Sequence, residues 1–199
     1  MFYLSEQLPE PVGYVTKSYS HHWEPWLAAT LPGELDGEVR HRLISNLKHI
    51  IVGLEMKAAL VEPHHLREHG RPLLFEPYAQ ILHFEFCTGV FSVCEGFGSS
   101  WYLVDHGLDG ALGDQVSFNM WKPVLVGRLA GNNQEVFEDL LETVKRTRDR
   151  LHQDRLGARE NIDWHAFDYE VSFQPALQAL HFLFRQNENQ LPERTNLRP

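Results

Sequence analysis

The chain has 199 residues, with 18 Lys and Arg against 27 Asp and Glu, a net charge of −9 with histidines neutral, and a hydrophobic share of 43%. That length and composition suit one globular domain with short appendages. The acidic balance excludes general charge-driven nucleic-acid binding, which rests on clustered Lys and Arg, so any such contact falls to a local basic patch.

The opening residues, MFYLSEQLPEPVG, lack the basic start and continuous apolar run of a signal peptide, and the expectation is a cytoplasmic protein. Residues 1–37, with their early prolines and the aromatic SHHWEPW, read as an irregular arm packed on the core. Residues 38–187 read as a helical domain and 188–199 as a polar, frayed tail.

From Glu38 onward, Val39, Leu43, Leu47, Ile50, Ile51, Leu54, Ala58 and Val61 recur at three and four residues. That spacing predicts an amphipathic helix ending before Pro63. In the following HHLREHG, His65, Glu68 and His69 match a pattern that places two zinc-binding histidines one turn apart with an acid as base. Pro63, Gly70 and Pro72 confine any helix there to about two turns, and no downstream ligand helix is recognisable. His65 and His69 are therefore weak metal candidates, and the expectation is no metal and no cofactor.

A second long helix is predicted from Glu76-Pro77 to about Asp105. Its apolar run would span a bilayer, but His83, Glu85 and Glu95 interrupt it, and a mid-membrane acid costs ~2.5–3.5 kcal/mol. It therefore reads as a buried helix with no membrane role. Gly89, Ser92, Gly96 and Ser100 form a stripe of small residues that lets a helix of the same chain or of a second subunit approach closely. Of the two acids, Glu95 reads as the buried one, in need of a cation, and Glu85 as exposed. Cys87 and Cys94 lie two turns apart, roughly 10.5 Å at 1.5 Å per residue, too far to bridge.

After the glycine-rich HGLDGALGD comes a short helix with Pro123 expected in its first turn. Asn132 and Glu135 then form a predicted capping box, and Val136, Phe137, Leu140, Leu141, Val144 and Leu151 carry the next helix forward. A last helix starts at Asp168 or Ser172. The five tryptophans (Trp23, Trp26, Trp101, Trp121 and Trp164) are spread along the chain and read as core. With no repeat and no alternating strand, the class is all-α: an antiparallel bundle of four or so long helices with short accessory helices.

The helix that opens at NNQE ends in KRTRDRLHQDR, Lys145 to Arg155. On a helix Arg148 and His152 share a face. A fixed guanidinium stabilises charge on a phosphate and an imidazole moves a proton near neutral pH, a kit that cleaves RNA without metal. Glu95 is a candidate orienting partner for Arg146 or Arg148. The same composition is also what a solvated helix C-terminus carries to complement its dipole.

A long helix ending in Arg146-Thr147-Arg148-Asp149-Arg150-Leu151-His152, followed after a loop by an apolar closing helix, resembles the HEPN superfamily of helical bundles. Its ribonuclease members carry an arginine, four to six residues, then a histidine, often with a polar residue after the arginine. Arg146 has the spacing to His152 but is followed by Thr147; Arg148 is followed by Asp149, but only three residues separate it from His152. The resemblance implies a homodimer with facing sites built from Arg146, Arg148 and His152, acting on RNA or binding a nucleotide. Many members of that superfamily are non-catalytic. The alternative is a non-enzymatic dimeric protein that serves protein contacts or scaffolding.

Overall fold

In the computed structural model, residues 6–7, 14–15, 20–61, 76–110, 115–150, 164–193 and 195–198 are described. They are overwhelmingly helical. A tight turn at Ser20–Trp23 leads into α1 (Glu24–Thr30), followed by α2 (Gly37–Leu60), α3 (Glu76–Asp105), α4 (Phe118–Leu129), α5 (Gln134–Asp149) and α6 (Gln174–Phe184). The exception is an antiparallel pair of two-residue strands, β1 (Glu6–Gln7) and β2 (Tyr14–Val15), with Glu6 opposite Val15. Strands this short carry no alternation for a sequence reading to detect.

The predicted bounds of α2 and α3 agree with the structure to within a residue. Asp36 caps α2, its carboxylate accepting from the backbone N–H of Glu38 at 3.0 Å and Val39 at 3.1 Å, which satisfies two donors the helix itself cannot. The α3 helix is the central element, packed by α2, α4, α5 and α6. Its Phe86, Cys87, Val90, Val93, Cys94 and Phe97 are fully buried, which is why its apolar pattern runs almost all the way round. Among the described residues no helix is long and apolar enough to cross a membrane.

The small-residue stripe packs within the chain. A Cβ on Gly89 would lie 2.8 Å from Leu54 Cδ2, and one on Gly96 would lie 3.1 Å from Leu47 Cδ2. As one sequence rises the other falls, so α2 and α3 run in opposite directions. On another side of α3, a Cβ on Gly98 would meet the Trp121 ring of α4 at 2.5 Å.

Several local expectations are corrected. Pro123 sits inside α4, past its first turn, and the N-terminal flank of that helix is Ser117; a proline there costs the helix one backbone hydrogen bond and crowds the carbonyl four residues before it. The capping box does not form. Asn132 lies in the short turn Gly131–Asn133 that runs into α5, and the flanking Asn133 makes no side-chain cap bond. Gly131 there takes a left-handed φ of 52°, open to glycine, and the Asn133 N–H bonds instead to the Ala130 carbonyl. Asp168, of the two starts considered, caps a π-helical turn (Tyr169–Phe173) that feeds α6, its carboxylate accepting from Val171 N–H at 2.7 Å.

Trp23 and Trp26 are fully buried and tie the segment before α2 to the rest. Trp23 donates its indole N–H to Glu55 at 3.3 Å and Trp26 to the Gln186 carbonyl at 2.8 Å. Trp101 and Trp121 are also buried, but Trp164 is 37% exposed, resting on Phe167 rather than in the core. The tail expected to fray is anchored, because Leu191 and Leu197 are buried.

Candidate functional site

The α5 helix buries Phe137, Leu141, Val144 and Thr147 on one side. Thr147 turns its hydroxyl back to donate to the Thr143 carbonyl at 3.0 Å, which lets a polar residue sit in the core. The next position delivers Arg148 to the edge of that face. Its guanidinium lies 4.5 Å from the centroid of the Phe91 ring on α3 and donates to Asp149 Oδ1 at 3.1 Å. Lys145 donates to the other Asp149 oxygen at 2.5 Å and reaches over the Phe118 ring. One carboxylate therefore holds two of the cations in the basic stretch.

Arg146 does not join them. It is two positions from Arg148, roughly 200° around the helix at 3.6 residues per turn, it is exposed, and it donates to Thr143 Oγ1 at 3.1 Å. Arg150 stands 5.8 Å from the Phe167 ring centroid. His152, the proposed proton carrier, lies outside the described residues, as do His65 and His69.

Glu95 is half-buried on α3. Burial pushes its carboxyl above the usual range, and the charge of Arg148 pulls the other way. Arg148, rather than Arg146, is thus the cation whose field reaches Glu95. Glu85 is exposed and pairs with Lys57 at 3.6 Å. Nearby, Lys122 of α4 bridges Glu138 and Glu142 of α5 at 2.7 Å each, a pattern that fastens the two helices together.

Among the described residues no group of three or more His, Cys, Asp or Glu is arranged to hold a metal. Cys87 and Cys94 are free thiols, both buried. Burial pushes the Cys87 thiol up to about 12 and the Cys94 thiol up as well, so neither is a nucleophile near neutral pH.

One concavity was not among the sequence-derived candidates. A half-open groove of about 710 Å³ runs between α2 and α3. Val39, Leu43 and Leu47 supply apolar wall, and Arg42, Asn46, Ser99 and Glu95 supply its polar groups. The signal for it was the run of small residues: Ser92, Gly96, Ser99 and Ser100 leave space that larger side chains would fill. A smaller cavity of about 480 Å³ lies at the C-terminal end of α3, beside Trp101 and an Arg128–Asp105 ion pair.

Comparison of the chain with protein-family models, with curated proteins and with solved structures finds no match.

Proposed function

We propose that this chain is a non-enzymatic helical-bundle protein, its long helices packed antiparallel about α3, that works by binding through the α2–α3 groove. The observation that carries this reading is the self-pairing of the basic stretch. Lys145 and Arg148 both engage Asp149, and Arg148 also faces Phe91. A guanidinium beside a carboxylate and over a ring has part of its charge already compensated, which weakens its pull on a phosphate. The buried, reduced cysteines suit a cytoplasmic setting. The test is titration of single-stranded RNA and of a nucleoside triphosphate into the protein. Only weak, salt-suppressed binding is expected, unchanged in Arg148→Ala; saturable binding at 0.15 M salt that needs Arg148 overturns the reading.

A second reading is the HEPN-like one, in which a homodimer binds RNA or a nucleotide through Arg146, Arg148 and His152. What supports it is the place of Arg148, partly exposed at the surface, within reach of the Glu95 charge and four residues before His152. Sedimentation showing a dimer, with RNA cleavage that needs His152, would favour it.

A further inference from the structure

We infer that the α2–α3 groove is a binding site for an organic ammonium carried on an apolar body, with Glu95 receiving the charged nitrogen. This deepens the binding reading above and rests on it.

Three observations meet in the groove. The first is size: about 710 Å³ falls in the range of small-molecule sites, which run roughly 300–1,000 Å³. The second is lining. Val39, Leu43 and Leu47 on α2 and Leu103 on α3 supply apolar lining beside the polar Asn46, Ser99 and Glu95, a mixed wall that suits a hydrocarbon or aryl body carrying one charged group. The third is the state of Glu95. Its carboxylate is half withdrawn from water, yet among the described residues it makes neither a hydrogen bond nor a close ion pair; the charge of Arg148 reaches it, but the hydrogen bond Arg148 makes to a carboxylate goes to Asp149.

A carboxylate in that position lacks the donor that burial ordinarily requires. An ammonium group supplies up to three N–H donors and the opposite charge, and its apolar body covers Val39 and Leu43, which are partly exposed on the groove wall. The groove also has a rim cation, Arg42. The contact register, in which Leu47 faces Gly96, places Arg42 about six residues along from the level of Glu95, roughly 9 Å at 1.5 Å per residue. At about one Debye length an exposed charge is partly screened, so Arg42 weakens the attraction at Glu95 without cancelling it. An anionic amphiphile would have to bring its charge to Arg42 and leave Glu95 unserved.

The test uses three isosteric probes: phenylbutylamine, phenylbutanol and phenylbutyrate, titrated calorimetrically into the full chain at pH 7. Saturable binding of the amine is expected, at least tenfold tighter than the alcohol, with the carboxylate weakest. Glu95→Gln should lose tenfold or more for the amine and little for the alcohol. Asn46→Trp, which places a large ring over the groove from an exposed position, should abolish binding while the thermal melt shows the fold intact. Equal affinity for amine and carboxylate, or an amine affinity unmoved by Glu95→Gln, overturns the proposal. Failure here is distinguishable from failure of the reading it rests on, which would show as saturable, Arg148-dependent binding of RNA or a nucleoside triphosphate at 0.15 M salt.

Discussion

The guanidinium of Arg148 lies 4.5 Å from the centroid of the Phe91 ring, so a residue that could serve an anion is instead a tie between α5 and α3. Such a contact contributes ~0.5–2 kcal/mol depending on desolvation. Arg148→Ala is expected to lower unfolding stability by about 1 kcal/mol, and Arg146→Ala to stay within about 0.5 kcal/mol of wild type. Urea denaturation of the two variants measures this directly; equal losses would mean the ring contact contributes nothing.

Two glycines should respond in opposite directions to alanine. At Gly98 a Cβ meets the Trp121 ring at 2.5 Å, whereas at Gly127 nothing lies within 4 Å. Overpacking against a rigid buried ring costs roughly 1–3 kcal/mol, while alanine in an open mid-helix position gains up to about 1 kcal/mol. Gly98→Ala should therefore lower the melting temperature and Gly127→Ala should raise it.

The start of the closing helix depends on one carboxylate. Asp168 accepts from the Val171 N–H at 2.7 Å, and removing such a cap costs about 1 kcal/mol. Asp168→Ala should be destabilised by that amount and Asp168→Asn by much less, since the amide oxygen still accepts. Thermal melts followed by circular dichroism distinguish the two.

Acid should destabilise the protein through His181. Burial, then the neighbouring Arg185, hold its imidazole below the ordinary value of 6.5, with the Leu197 backbone opposing. Its Nε2 is buried without a hydrogen-bond partner. A depressed pKa means that the unfolded chain takes up the proton first as pH falls, so this contribution is present above 6.5 and is lost on acidification below it. Glu95 has the reverse sign. Its raised pKa favours folding at low pH, and that contribution fades as pH rises above the ordinary 4.5. Urea midpoints between pH 5 and pH 7.5 should show a rise that His181→Leu flattens.

Both cysteines should resist a thiol reagent in the native state. They are buried, and the Cys87 thiol is pushed up to about 12, leaving almost no thiolate at pH 8. Labelling by an aromatic disulfide reagent is expected only as the chain unfolds. Rapid modification without denaturant would contradict the burial.

Much of this architecture is legible in the residue spacing. The three-and-four recurrence from Val39 to Val61 and the apolar run after Pro77 place α2 and α3, because long periodic helices bury a face that polar substitution would expose. Local starts were less legible. The motif Asn132 to Glu135 has the form of a capping box, but Gly131 commits the chain to a preceding turn, and nothing in the four-residue motif reports that. The basic stretch shows the same limit. Side-by-side charges in sequence suggest a cluster, yet helical geometry sends Arg146 and Arg148 apart and lets Asp149 hold Lys145 and Arg148. The groove was half legible: the stripe of Gly89, Ser92, Gly96 and Ser100 signalled a close approach, and α2 fills it only in part.

The most direct test of the account is incubation of single-stranded RNA, without metal, with wild type and with His152→Ala. No cleavage above buffer is expected from either protein, because Lys145 and Arg148 are engaged by Asp149 and Arg146 points away from them. Cleavage by wild type that His152→Ala abolishes, with the fold unchanged, would contradict it.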